Sequence, residues 1–341
     1  MKVCHVTTWN PNGSGLMEAS LNMFKADVIS GHDVFIIDTG IKADLSKKAP
    51  SVGESVMRGS LEIITSHNSA LDIADIIVLH TYCPDEWLSR NQAPIIYINH
   101  ARPEASYRQE FDEPKYQAYS AYGSASYRPR IKKMVYFWPE FTPYWEVVCD
   151  KNKLVAFECP AVDDEKFSPT GSKYQIAPDK IGEINGFICD PNRRDITRFD
   201  LFIGAYHASK KIPGLKWHIV GLDDPIKLCE QNLLAKIREI GGLGTVGLRI
   251  HTIEDFYRSM DFLFTNQMIS TQTVVEAISC GLKVIAPLGN QFAANTIDIK
   301  NPYEVADAIN KLDSYENEFV WTLKEFGCKM NKVYEEVIKN G

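Results

Sequence analysis

The chain has 341 residues, of which 45% are hydrophobic and 24% charged. That is more than one core ordinarily holds, so about two domains of ~150–170 residues are expected. No apolar run approaches the ~18 residues that a membrane span needs. The formal net charge of −7 excludes a surface that grips nucleic acid everywhere, while leaving room for a local basic groove.

The opening MKVCHVTTW reads as a strand, with no long apolar segment or cleavage site of a signal peptide, and a cytoplasmic protein is expected (host cytoplasm if viral). It begins a series of short apolar runs ending in small or polar residues: 2–9, 32–40, 74–81 and 93–101. The segments between them are long enough for crossover helices, which is the pattern of a parallel sheet buried on both faces. In the first connection, NPNGSGLMEAS, Gly13 and Gly15 free the backbone to turn into a helix whose amino end can face an anion; a plain tight turn explains them equally well. His80 and His100 end the third and fourth runs. They should stand at the carboxyl edge of the sheet, where open α/β sheets bind ligands, although a structural histidine is the ordinary alternative.

Twelve aromatic residues lie between Tyr107 and Trp145, interleaved with Arg108, Arg128, Arg130, Lys132 and Lys133. Such a mixture can stack sugars or bases beside phosphates, or can be ordinary core. KLVAFECPAVDDEKFSPTGSKYQIAPDK (153–180) has the Pro, Asp, Ser and Gly punctuation of a linker. Strand-like runs then resume at 183–188, 216–224, 247–252, 261–266 and 283–289, with a helix over 233–242. The reading is of three parts: residues 1–170 as one Rossmann-like α/β domain, 171–318 as a second, and 319–341 as an amphipathic helix packing back across them.

In the second half, FICDPNRRDITRFD puts Arg193 and Arg194 on the turn after its first strand, where guanidinium groups could meet phosphates or simply be solvated at a helix start. TQTVVEAISCGLKVIAP (271–287) reads as a polar turn, a helix stopped by Gly281, and a buried strand. Ser270 and Thr271 are candidate N-caps, and the amides of Thr271, Gln272 and Thr273 are expected to be free for an anion. Glu276, one turn into that helix, can accept hydrogen bonds from ligand hydroxyls or can simply stabilise the helix. The eight cysteines are scattered without a CxxC pair and read as free thiols. There is no DxD motif, and no metal ligand set is predicted.

These motifs together resemble the nucleotide-sugar glycosyltransferases of the GT-B fold, family-4 type, over nearly the whole chain. GSGLMEASLNMFKADVISGHDVFIID is similar to the family's opening segment. CPAVDDEKFSP is similar to its interdomain segment through Pro160, Val162, Asp163, Phe167 and Pro169, with Ala161 where glycine is usual. VVEAISCGLKVIA is similar to the segment carrying the second Glu of the paired-glutamate motif, so the resemblance implies that Glu276 holds the nucleotide's ribose. The first Glu position is Met268, and the arginine position after the first strand is Phe187, leaving Arg193 or Arg194 to serve. The order IYINHARPE, RRDITRF, TVVEAI also resembles bacteriophage enzymes that glucosylate modified DNA bases, a comparison that puts His100 nearest the anomeric carbon.

The resemblance implies two doubly wound Rossmann-like domains facing a cleft, and transfer from a nucleotide-diphosphate sugar, expected to be a UDP-sugar. The acceptor is a glycan, a lipid-linked sugar or a hydroxymethylated base in DNA. His100 is the catalytic candidate. Donor-side candidates are Glu276, Arg193, Arg194, Ser270, Thr271, Gln272, Thr273 and Gly186. Acceptor-side candidates are Gly13, Ser14, Gly15, Glu18, Arg102, Tyr107 and Arg108. No cofactor beyond the donor substrate is required, and a monomer or small homo-oligomer is expected. A sugar-nucleotide epimerase of the same fold and a non-catalytic nucleotide-sugar binding protein are the rival readings.

Overall fold

A computed structural model describes residues 1–7, 15–38, 55–58, 61–64, 68–80, 83, 85–100, 130–147, 149–189, 198–220, 228–247, 250, 252–269, 271–314, 316 and 320–339. The chain divides into two compact units, residues 1–161 with 321–341, and residues 162–320.

The first unit is built on β1 (Lys2–Thr7), β2 (Asp33–Asp38), β5 (Ile76–Leu79), β6 (Ile95–Asn99), β7 (Ile131–Phe137) and β8 (Leu154–Phe157). They form one sheet in the order β2-β1-β5-β6-β7-β8, and every pairing is parallel. Strands such as IIVL and IIYIN are buried at every position, which is why they read as unbroken apolar runs rather than alternating ones. A separate antiparallel pair, β3 (Ser55–Arg58) and β4 (Leu61–Ile64), lies between β2 and β5 in sequence.

Helix α1 (Gly15–Ile29) follows β1 and ends at Gly31, whose φ of 82° is the left-handed conformation that glycine adopts without strain. Two short helices, α2 (Asp85–Leu88) and α3 (Thr142–Trp145), follow β5 and β7. The aromatic stretch is partly absorbed here. Tyr136, Phe137, Trp138 and Trp145 are buried and belong to the core, whereas Phe141 is half-buried and Tyr144 exposed. Lys133 bonds Glu336 and the Asn152 carbonyl. Residues 101–129, the rest of the stretch, lie outside the described residues.

The second unit has β9 (Ile184–Cys189), β10 (Leu215–Ile219), β11 (Leu243–Val246), β12 (Phe262–Thr265), β13 (Lys283–Pro287) and β14 (Asn295–Ile297) in the all-parallel order β11-β10-β9-β12-β13-β14. Counted within the unit this is 3-2-1-4-5-6, the doubly wound dinucleotide-binding order. Helices α4 (Arg198–Lys211), α5 (Leu228–Glu239), α6 (Ile253–Tyr257) and α7 (Gln272–Ser279) connect successive strands from β9 to β13, and α8 (Glu304–Asn310) follows β14. The third strand differs from the sequence reading. It occupies Leu243–Val246, not 247–252, because it is the former segment that pairs with Trp217 and Ile219 of β10.

The segment CPAVDDEKFSP is held by burial of Val162, Asp163 and Phe167 and by Arg258, which donates to the carbonyls of Lys166, Ser168 and Ser172. Helix α7 stops in a Schellman arrangement: Leu282 N–H reaches the Ala277 carbonyl (3.0 Å) and Gly281 N–H that of Ile278 (2.9 Å), with Gly281 at φ 90°.

The final helix, α9 (Leu323–Lys339), belongs to the first unit. It starts at a capping box in which Glu325 N–H donates to Thr322 Oγ1 and Thr322 N–H donates to Glu325 Oε2. Leu323, Phe326, Gly327, Met330, Val333, Tyr334 and Val337 form its buried stripe at helical spacing. It packs on α1 closely enough that a Cβ at Gly327 would come within 2.4 Å of Ser30 Oγ and 2.8 Å of the Ala26 carbonyl.

Gly186 sits at the centre of the second sheet, where a Cβ would lie 2.5 Å from the Phe262 ring and 2.9 Å from Trp217. Gly186→Ala is therefore expected to lower stability by about 1–3 kcal/mol through overpacking, read as a lower denaturant midpoint at unchanged slope.

Candidate functional site

In doubly wound sheets, ligands bind beyond the carboxyl ends of the strands, at the point where strand order reverses. In the first unit that point lies between β1 and β5, which have β2 and β6 on their outer sides. Thr7, His80 and His100 stand at or just beyond the carboxyl ends of β1, β5 and β6. His80 is buried, and its amide donates to the Val6 carbonyl (2.9 Å). His100, only partly buried, is 2.8 Å through its Nε2 from His80 Nδ1.

The contact continues inward. His80 Nε2 is 2.9 Å from His5 Nδ1, and His5 Nε2 is 2.9 Å from Asp27 Oδ2. Tyr334 of α9 donates its hydroxyl to the same carboxylate oxygen at 2.6 Å. His5 and Asp27 are 0% and 1% exposed, so this polar chain runs through the interior. The three rings follow one another edge to edge, with centroids 5.2 and 5.1 Å apart and planes only 19° and 26° from parallel. Their nitrogens meet in pairs, and among the described residues no group of three or more His, Cys, Asp or Glu side chains is placed to hold a metal ion. Burial lowers the His80 pKa well below its usual value, helped by the neighbouring His100 and His5, and holds that of His100 at about 3. Burial, then Asp27, pushes the Tyr334 phenol well above its usual range, keeping it a donor.

In the second unit the reversal lies between β9 and β12. Beyond β12, buried Asn266 and Gln267 lead to exposed Met268 (43%) and then to α7. Thr271 is the N-cap residue of α7, with φ −74° and ψ 171°, and its hydroxyl donates to Gln267 Oε1, not to the helix. Its amide, expected to be free, donates to the Ile269 carbonyl (2.9 Å). Glu276 is 8% exposed and accepts from Gln272 Nε2 at 3.0 Å. Tyr257 of α6 lies close by. Its phenol is raised well above the usual value, first by burial and then by Glu276, Cys189 and Cys280, against a hydrogen bond with Thr273. Asn290 donates to the Gln267 carbonyl at 2.9 Å, fixing the chain that leads into α7.

Sequence reasoning named Glu276, Thr271, Gln272 and Thr273, and the structure collects these on α7 and its cap. It also named His100 but passed over His5, Asp27 and Tyr334. The signal for His5 was available, since it is a titratable residue inside the apolar run KVCHVT. Gly186 lies within β9, where rings from both flanking strands fill the space that a side chain would need. Gly15 begins α1, and Glu18 lies in its first turn. Arg193, Arg194, Ser270, Gly13, Ser14, Arg102, Tyr107 and Arg108 lie outside the described residues.

Solved structures match the chain along its whole length. A sucrose-phosphate synthase from Thermosynechococcus elongatus superposes with a TM-score of 0.62 at 11% identity, covering 100% of both chains. The pneumococcal O-GlcNAc transferase, solved with UDP and GlcNAc, gives 0.62 at 11% identity over 99% of each chain. The fold is GT-B. A putative UDP-N-acetylglucosamine 2-epimerase from Listeria monocytogenes is also similar, at 0.61 and 11% identity over 100% of this chain and 97% of that one. No protein-family model and no curated protein sequence matches, so in this GT-B chain the likeness lies in backbone topology at identities that establish the fold alone. Among the described residues no helix is long and apolar enough to cross a membrane.

The neutral histidines have a measurable consequence. His218 is also held at about 4, by burial and then Lys216, and accepts the Thr245 amide on Nδ1. Histidines in the unfolded chain take up protons as pH falls through about 6.5, while His80, His100 and His218 in the fold do not. Stability is therefore complete above pH 6.5 and falls below it, by up to about 1.4 kcal/mol per pH unit for each histidine. Urea midpoints between pH 7 and 5, above most carboxylate titration, should drop accordingly; a flat profile would contradict neutral burial.

Proposed function

We propose that this chain is a glycosyltransferase that moves a sugar from a nucleoside-diphosphate sugar, a UDP-sugar, to a hydroxyl acceptor. The observation that carries the reading is Glu276, a buried acid on the helix that follows β12 at the strand-order reversal of the second sheet. It is oriented by Gln272 in a helix whose amino end follows β12 directly. A carboxylate there is suited to accept both ribose hydroxyls, and the start of α7 offers the positive end of a helix dipole to the diphosphate. The pneumococcal structure supports the choice of nucleotide, since it was solved with UDP.

Glycosyl transfer must stabilise charge on the departing diphosphate and take a proton from the acceptor. In this reading Arg193, Arg194 and the α7 amino end serve the first need. His100 serves the second if the anomeric configuration inverts, and contacts the donor sugar if it is retained. The first unit holds the acceptor, a glycan or lipid-linked sugar or a hydroxymethylated DNA base. Met268, standing where the resemblance implies a sugar-binding carboxylate, favours a second reading as a non-catalytic nucleotide-sugar binding protein, which would bind donor without turnover, while the similar Listeria structure keeps an epimerase as a third.

UDP, GDP and ADP tested by thermal shift at about 100-fold excess over Kd should single out UDP, with about 2.7 kcal/mol of added stability. Glu276→Ala should weaken UDP about 10- to 100-fold, the equivalent of one or two charge-assisted hydrogen bonds. No stabilisation by any nucleotide would end the proposal. UDP-glucose or UDP-GlcNAc incubated alone, then with glycans and with hydroxymethylated duplex DNA, separates the readings: a new sugar nucleotide without acceptor indicates an epimerase.

A further inference from the structure

The buried chain from Asp27 to His100 joins four side chains from four elements through consecutive ring nitrogens, and its hydrogen-bond polarity can be deduced from its inner end. With Asp27 Oδ2 as the acceptor for His5, as it is for the Tyr334 hydroxyl (2.6 Å), His5 carries its proton on Nε2. His5 Nδ1 is then bare and accepts from His80, which must be protonated on Nε2. His80 Nδ1 is bare in turn and accepts from Nε2–H of His100. Each ring has one proton and one lone pair, so a single choice at Asp27 sets all three tautomers and leaves Nδ1 of His100 unprotonated.

We propose that Asp27, His5 and His80 are positioning residues that hold His100 as its Nε2–H tautomer and pass the proton it accepts inward to the Asp27 carboxylate. This deepens the transfer reaction proposed above and rests on His100 acting in it as the proton acceptor. As the acceptor oxygen bonds to the anomeric carbon and the diphosphate leaves with its electron pair, the acceptor O–H proton moves to His100 Nδ1. The Nε2 proton of His100 passes to His80 Nδ1, that of His80 to His5 Nδ1, and that of His5 to Asp27 Oδ2. Every ring ends neutral in its other tautomer, and the carboxylate ends as a carboxylic acid. The relay answers a difficulty in the site, since a half-buried imidazole held at about 3 is a poor base if it must keep the charge. Delivering the proton to a carboxylate removes the need for a buried imidazolium. Asp27 Oδ1 is buried and has no hydrogen-bond partner to lose, and Oδ2 can go on accepting the Tyr334 hydroxyl once it carries the proton.

The chain can be tested with and without turnover. In protein labelled with 15N at histidine, long-range 1H–15N correlation spectra at pH 7 should show His5, His80 and His100 as neutral Nε2–H rings. His100 in the Nδ1–H or imidazolium form would overturn the proposal. Asp27→Asn and His80→Gln break the relay at separate points. Each should lower kcat at least tenfold with the donor KM within twofold, and the two together keep the test open if one variant fails to fold. Normal kcat in a folded variant of either kind would overturn the relay. If His100→Ala transfers sugar as fast as the parent, the base role under the proposed function fails, while the ring spectra still report on the chain itself.

Discussion

A carboxylate at 1% exposure must be supplied with donors, and Asp27 receives them from opposite ends of the chain. His5 comes from the first strand and Tyr334 from the last helix. The interaction joins β1, α1 and α9 at one oxygen, and the close contact at Gly327 brings α9 near enough to α1 for the hydroxyl to reach. The compactness of the first unit and the orientation of the histidines at its sheet edge therefore depend on a common set of contacts. Removing the tyrosine or the histidine would leave a buried charge short of a partner, which is more costly than the net gain from the bond.

The two units solve the same topological problem with different chemistry. Both sheets are all-parallel and covered, so their interiors are apolar and polar groups collect where the strands end. In the first unit the reversal point holds neutral imidazoles backed by an acid; in the second it holds an acid on a helix with amide side chains around it. Under the proposed function, the first set would serve proton transfer and the second recognition of hydroxyls. That division matches the two demands of glycosyl transfer to a hydroxyl.

Much of the architecture was legible in the sequence because burial on both faces writes an unmistakable pattern. IIVL, IIYIN and KVIAP could hardly be anything but covered strands, and Gly281 marked the end of α7. Strand β11 was misplaced because LGTV and the following GLRIHT have similar local composition, and only pairing with β10 decides between them. Strand β7 was hidden by Lys132 and Lys133 at its start, which made IKKMVYF look like part of a basic surface, although Met134–Phe137 are buried. Glu276 was legible because an acid in an apolar helix calls for a reason. The links His5–Asp27 and Asp27–Tyr334 span 22 and 307 residues, and no local pattern could have joined them.

The central claim is that the second unit recognises a nucleoside diphosphate through Glu276. A crystal structure of the protein grown with UDP tests it most directly. The account predicts ribose hydroxyls within hydrogen-bonding distance of the Glu276 carboxylate and the diphosphate at the amino end of α7. UDP bound elsewhere, with no ribose hydroxyl near the Glu276 carboxylate, would contradict it.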